Sequence, residues 1–358
     1  MTNSLAAFYQ GRKVLVTGHT GFMGGWLTAW LKILGARVIG FSLPPETQPN
    51  LFSAARIGQD MVSLTGDIRE WARIAGAFEE YHPEIVFHNA AQPLVLRAYE
   101  DPVGTYATNV MGTVHVLEAV RQCSSIRALV VITSDKCYEN REWVWGYRED
   151  EPMGGRDPYS SSKACAELVT AAYRRSYFCE DGRAQVASAR VGNAIGGGDW
   201  GEHRLVPDIV RSVASGSPVV IRSPNAIRPW QHVLEPLRGY LMLGQRLWNG
   251  GQGFAQAWNF GPREEDSILV INLAERFLNL WGPGRVSIQQ RGSVLPEAQR
   301  LKLDCSKART QLGWRPVLTI QDALRLTVEW YRAYLDDPGS ACDATTAQIQ
   351  RYMESAQE

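Results

Sequence analysis

The chain has 358 residues, with 37 basic and 37 acidic side chains, so no net charge draws it towards nucleic acid or an anionic membrane surface, and any anion site must be local. Its six cysteines, Cys123, Cys137, Cys165, Cys179, Cys305 and Cys342, are scattered with no CxxC pair and no clustered histidines; this argues against a disulfide framework or a metal site and reads as reduced, cytoplasmic thiols. Met1 to Gln10 has no basic segment followed by an apolar run, and nowhere are there the roughly 18 consecutive apolar residues of a membrane span, so the expectation is a soluble, cytoplasmic protein with no membrane partner.

The first periodic stretch is an apolar strand at Val14-Leu15-Val16 that breaks into Thr17-Gly18-His19-Thr20-Gly21-Phe22-Met23-Gly24-Gly25. A short apolar run is how a buried parallel strand reads, and glycines straight after it permit a tight turn, close approach to a pyrophosphate and close helix packing. Trp26 to Leu34 has apolar residues at helical spacing, so the helix start aims free N–H groups at the same place. Strand, glycines and helix together point to a dinucleotide cradle.

Further strands are expected at Arg37–Phe41, Met61–Leu64, Glu84–His88, Ala128–Thr133, Ala184–Val191 and Ala257–Phe260, with helical segments between them. Such alternation implies a Rossmann-like α/β fold, a doubly wound parallel sheet with helices on both faces. Residues 1–191 plus about 232–265 form the dinucleotide-binding domain. About 192–231 and 266–340, where Gly, Pro and Arg are enriched, form a smaller, mixed C-terminal substrate-binding lobe. Residues 341–358 are a tail, a surface helix or partly disordered. Asn140 to Asp157, with Trp143, Trp145 and Tyr147, reads as a hairpin, with a lid as the other option.

Tyr159 and Lys163 lie four apart at the start of a helical run, which stacks them on one face. A phenol acts as a base near neutral pH only if its pKa is pulled down, which a nearby ammonium and an oxidised nicotinamide can do. On its own, YxxxK usually marks a surface helix. Its weight comes from following Thr133-Ser134-Asp135, where a hydroxyl at a strand end can share the substrate proton.

Together Thr17 to Gly24, Asn89-Ala90-Ala91, Ser134, Tyr159 and Lys163 resemble the extended short-chain dehydrogenase/reductase superfamily. Within it, Thr133 to Asn140, Arg141 to Gly146, Asp157 to Lys163, Arg190 to Asn193, Gly197 to Trp200 and Arg228 to Val233 are similar to the nucleotide-sugar 4,6-dehydratases of the CDP-glucose type. The resemblance implies NAD as cofactor, held by Gly18, Thr20, Gly21, Phe22, Met23, Gly24, Ser42, Asp67, Ile68, Asn89, Ala90, Ala91, Gln92, Asn109, Thr133, Tyr159 and Lys163. It implies a lyase acting on CDP-glucose in deoxysugar synthesis for surface polysaccharide: oxidation at C4, elimination of water across C5 and C6, and return of the hydride to C6. Tyr159 is then the oxidation base, Lys163 its modulator, Ser134 its hydroxyl partner, Asp135 the acid and Lys136 the base.

Relatives acting on dTDP- or GDP-sugars carry Glu at the position of Lys136, and a structural ion pair within Asp135-Lys136 is the plain alternative. Consecutive strand residues face opposite ways, so both can meet the sugar only if the chain bends after Ser134. Asn193, Arg222, Arg228, Glu297 and Arg300 are the expected substrate contacts. Ser42 stands where an NAD-selective site normally has an acid, and no cation beside it is placed for a 2′-phosphate, which still favours NAD. His19, His88 and His232 are assigned no proton transfer. The resemblance also implies a homodimer through two helices per subunit, with a tetramer left open. Competing functions are a 4-epimerase or oxidoreductase on another nucleotide sugar, and a non-catalytic NAD-binding regulator.

Overall fold

The computed structural model of the chain describes residues 4–179, 183–282, 284–288 and 298–356. Strands β1 (Lys13–Thr17), β2 (Arg37–Ser42), β3 (Val62–Thr65), β4 (Ile85–His88), β5 (Ala128–Ile132) and β6 (Gln185–Val191) join Ala257–Phe260 in one sheet. Its seven strands run in the order β3-β2-β1-β4-β5-β6 and then Ala257–Phe260, with every pairing parallel. The expected doubly wound α/β architecture is therefore present, with strand ends within a few residues of those read from the sequence.

Apolar runs form these strands because both sheet faces are covered. Val14 and Val16 enter one core with Trp26, Trp30 and Leu31, while Leu15 enters the other with Phe41, Ile74, Phe78 and Val116. Each such side chain contributes on the order of 1.5–3 kcal/mol on full burial. The order reverses at β1, where β2 lies on one side and β4 on the other, so the crevice for a ligand opens beyond their carboxyl ends.

Smaller elements lie over that crevice: Val219–Ile221 paired with Val286–Ile288, Ile227–Pro229 paired with Ser267–Leu269, and the helices Leu205–Ala214 and Val270–Trp281. Ala194–Ile195 pairs with Gln231–His232 beneath them. Val206, Ile209, Leu273 and Phe277 belong to the same apolar core as Val14, so the lobe is welded to the sheet.

Residues 140–157 do not form the expected hairpin. One antiparallel bridge, Tyr138 with Met153, closes the loop, and Tyr147 instead bridges in parallel to Leu303. Aromatic stacking decides this: Tyr147 lies 5.1 Å from the Tyr138 ring and 5.2 Å from the Trp143 ring, which draws the segment onto 301–304. The tail forms the helix Ala341–Ser355, whose Tyr352 packs edge-on against Trp30 at 5.5 Å. No helix among the described residues is long and apolar enough to cross a membrane.

Candidate active site

The glycine turn is built as a close fit. Gly18 has φ +75°, and a side chain there would begin 2.8 Å from the Ala90 backbone; at Gly24 it would begin 2.0 Å from the Gly18 carbonyl oxygen. Only hydrogen is tolerated at either place, which brings β1, the end of β4 and the start of helix Phe22–Ile33 into contact. Thr17 binds these parts together: its Oγ1 accepts from the Asn89 and Ala90 N–H groups, both at 3.1 Å. Its proton goes to His88 Nδ1 at 2.8 Å, because Nε2 of the same ring faces Thr113 Oγ1, which itself donates to the Asn109 carbonyl at 2.7 Å.

Burial holds His88 neutral, pushing its pKa down to about 3 with help from the Lys163 charge, and burial also takes His232 to about 3 and His19 to about 4. None of the three is poised to move a proton near neutral pH. His19 packs under β2, where a side chain at Gly40 would start 2.4 Å from its ring.

Other expected cofactor residues surround this crevice. Ser42 shares a 2.8 Å hydrogen bond with Thr20, and no carboxylate takes the place of an NAD-selective acid at the end of β2. Both oxygens of Asp67 accept from Arg69, which keeps its carboxyl below the usual range although burial opposes this. Asn109, in a π-helical turn at Ala107–Met111, has its amide used by Gln92 and Ser162 at 2.8 to 3.1 Å; it braces the site from inside the protein.

Beyond β5 the chain leaves strand geometry as the chemistry requires. Thr133 still donates its N–H to Ala189, Ser134 is extended, and Asp135–Cys137 turns into a 3₁₀ helix whose Lys136 N–H is accepted by Ser134 Oγ at 3.2 Å. The turn frees Asp135 and Lys136 from opposite-face alternation. Asp157 caps the helix Pro158–Tyr177 through the Ser160 N–H at 2.9 Å, and Pro158 occupies its first position, which sets Tyr159 and Lys163 on the first turns.

Ser134 reaches the Tyr159 phenol, and Lys136 Nζ stands 6.0 Å from the centre of that ring. Within the chain alone, burial outweighs the Ser134 hydrogen bond and pushes Tyr159 up to about 12; the expected lowering depends on the charge of an oxidised nicotinamide. Burial likewise takes Lys163 down to about 8, although neighbouring Glu167 favours its charge; Lys163 Nζ donates to the Ile132 carbonyl at 3.3 Å. Asp135 is buried, and desolvation raises its pKa against the pull of Lys136 and Arg228. Its Oδ1 accepts from Ser134 at 3.1 Å, while its Oδ2 has no hydrogen-bond partner. Burial thus shifts this carboxyl toward its protonated form.

Residues 15–327 match the family model described as GDP-mannose 4,6 dehydratase. The chain belongs to that family. A CDP-glucose 4,6-dehydratase of Salmonella typhimurium is 52% identical over 92% of this chain and 92% of its own length. A dTDP-glucose 4,6-dehydratase of Xanthomonas campestris is 28% identical over 88% of this chain and 92% of its own length. Among solved structures, a dTDP-glucose 4,6-dehydratase of Bacillus anthracis in complex with NAD superposes with a TM-score of 0.77 at 22% identity, covering 91% of this chain and 98% of the other. That likeness establishes the shared Rossmann-type fold.

In this member of the GDP-mannose 4,6 dehydratase family, Arg228, one of the expected substrate residues, lies near Asp135. Asn193 follows Gly192, where a side chain would start 3.3 Å from Asp135 Oδ2, and Arg228 is close enough to affect Asp135 electrostatically. Arg300 bridges to Ile227, next to Arg228, with its N–H donated to Glu142 at 2.6 Å. Arg222 instead serves its own lobe, donating to the His203 carbonyl at 2.8 Å and standing 3.7 Å from Asp208. Glu297 lies outside the described residues. The sequence reading passed over Arg204, whose charge acts on Tyr159 and which holds Asp199 at 3.0 Å, and the buried pair of Glu167 and Arg190. Spacing was the available signal for Glu167, one helical turn beyond Lys163; Arg204 lies far from Tyr159 in sequence and gave none. Among the described residues, no group of three or more His, Cys, Asp or Glu gathers as a metal site.

Proposed function

We propose that the chain is an NAD-dependent CDP-glucose 4,6-dehydratase, converting CDP-D-glucose to CDP-4-keto-6-deoxy-D-glucose and water. The observation that carries this reading is Asp135, a buried carboxyl with an unpartnered Oδ2 on the turn beside Ser134 and Tyr159. A plain oxidoreductase or 4-epimerase needs no such acid, whereas expulsion of a hydroxyl does. The relative from Salmonella typhimurium supports the CDP-glucose assignment.

The close glycine turn, the helix start at Phe22 and the Lys163 ammonium fit a pyridine dinucleotide, with Ser42, Asp67 and Ile68 on the adenosine side. Bound NAD supplies a reversible two-electron store for the sugar and, while oxidised, a positive charge beside Tyr159.

The chain's own groups handle the protons. Tyr159, with Ser134, takes the proton of the C4 hydroxyl as the carbonyl forms. Lys136 takes the C5 proton, and Asp135 gives its proton to the departing C6 oxygen, so that water leaves across C5 and C6. A proton returned at C5, together with the two electrons that bound NAD would give back as hydride at C6, completes the methyl-bearing ketone. Asn193, Arg228 and Arg300 bind the diphosphate and ribose region, where a guanidinium can offer two donors at once.

A homodimer joins two helical regions per subunit. Val103, Tyr106 and Met111 on one, and Leu168 and Tyr177 on the helix Pro158–Tyr177, are large apolar side chains left exposed. Six free cysteines fit a cytoplasmic location.

The test is to incubate the purified protein with CDP-, UDP-, dTDP- and GDP-hexoses and follow the alkaline absorbance of a 4-keto-6-deoxy sugar. CDP-glucose is expected to be the preferred substrate, with hydrogen isotope from C4 recovered in the C6 methyl group. Epimerised sugar without loss of water overturns the reading.

A further inference from the structure

The acid–base turn is gripped at both ends by one buried ion pair. Glu167 and Arg190 approach to 2.8 Å, with side chains only 4% and 5% exposed. On one side Thr133, the residue before Ser134, donates its hydroxyl to Glu167 Oε1 at 2.5 Å. On the other, Arg190 donates to the Tyr138 hydroxyl at 2.7 Å and lies 4.9 Å from the centre of its ring; Tyr138 directly follows Cys137. Ser188 on β6 donates to Glu167 Oε2 at 2.8 Å, which ties the pair to the sheet.

Glu167 also belongs to the helix of the phenol. It follows Lys163 by four residues and Tyr159 by eight in Pro158–Tyr177, so the three share one face at about 3.6 residues per turn. One carboxylate therefore connects the helix bearing Tyr159 to the strand end bearing Asp135 and Lys136.

We propose that Glu167 and Arg190 are a positioning pair for elimination, fixing Asp135 and Lys136 relative to Tyr159. The proposal rests on the dehydratase reading above. Stability alone is a poor reason for such a pair, because a well-packed apolar replacement is often as stable or more so. The turn it brackets is three residues long, and Asp135 Oδ2 has no hydrogen-bond partner; its other anchors, the Gly154 N–H on the Cys137 carbonyl at 2.9 Å and the Tyr138 hydroxyl on Asn259 at 2.7 Å, lie at its far end. Two proton transfers to neighbouring sugar carbons need those side chains held to a fraction of an ångström, and a misplacement of about 1 Å can cost about 100-fold in rate.

The test compares wild type with Glu167→Gln and Tyr138→Phe, each as the NAD-loaded enzyme with CDP-glucose. In Glu167→Gln, solvent deuterium entry at C5 and formation of the dehydrated product are expected to slow together by about 10- to 100-fold. Single-turnover oxidation at C4, read at 340 nm, should slow less than elimination does, because the Glu167 hydrogen bonds go to Thr133, Ser188 and Arg190 and its loss reaches that step only through the Lys163 charge it favours. Tyr138→Phe removes the Arg190 grip on the far end of the turn together with the 2.7 Å hydrogen bond from the Tyr138 hydroxyl to Asn259, and should slow the same step by a smaller factor, about 3- to 10-fold. It decides the question if Glu167→Gln does not fold. Equal loss of both steps, or unchanged elimination in Tyr138→Phe, overturns the proposal. Absence of dehydration by wild type overturns the dehydratase reading instead, and so is distinguishable.

Discussion

Ser134 Oγ lies 3.1 Å from Asp135 Oδ1, and the same hydroxyl reaches Tyr159, so one small side chain adjoins both the acid and the phenol. On the proposed assignment, oxidation and elimination meet at a single strand end. Replacing Asp135 by Asn preserves the shape and removes the transferable proton. Dehydration should fall by about 10²- to 10⁴-fold, while C4 oxidation persists as a reduced nicotinamide signal on the enzyme. Product assay alongside 340 nm absorbance checks both halves.

Gly24→Ala places a methyl group 2.0 Å from the Gly18 carbonyl oxygen, a contact only backbone movement can relieve. Affinity for NAD should drop at least about 10-fold, an outcome of losing the close approach the cradle depends on. Titration calorimetry with NAD alone tests this without turnover.

Thr17→Val keeps the volume and removes the oxygen that accepts from Asn89 and Ala90 and donates to His88. Unless water replaces it, two N–H groups and a ring nitrogen lose their partner. Denaturant unfolding should show a loss of about 1–3 kcal/mol.

Glu235 is fully enclosed where it accepts from the Val317 and Leu318 N–H groups and from Tyr352, and burial lifts its pKa from 4.5 to about 7. A carboxyl whose folded value is the higher one holds its proton longer in the folded state. Its stabilising contribution is complete below pH 4.5 and lost as pH rises through about 7, a span worth about 3 kcal/mol. Glu235→Gln should therefore raise the thermal midpoint relative to wild type at pH 8 and raise it less, or lower it, at pH 5.

Val103 is 79% exposed and Leu168 59% exposed, on two helices that pack against each other. The double variant Val103→Glu, Leu168→Glu should shift the protein from dimer to monomer in light scattering. A dimer of unchanged stability removes these helices as the interface.

Strands were legible because a strand covered on both faces must be apolar throughout, as Val14-Leu15-Val16 and Ala128 to Ile132 are. The bend after Ser134 was legible too, since alternation on a strand could not present Asp135 and Lys136 together. What escaped depends on distance in sequence. Tyr147 chooses Leu303 over a local hairpin partner, and Arg190 completes a charge pair with Glu167 whose purpose appears only when β5, β6 and the helix stand side by side. For Tyr159, neighbouring charges are readable from the motif, but the dryness of their surroundings, which raises its pKa in the chain alone, is not.

The docked helix Ala341–Ser355 has a practical consequence for anyone handling the protein. Through Tyr352 it shields Trp30, on the very helix whose first turn faces the cofactor crevice, and it also rests on Glu235. A protease nick or a bulky fusion near Tyr352 would be felt at the nucleotide cradle, far along the chain from the damage, as weaker grip on the dinucleotide.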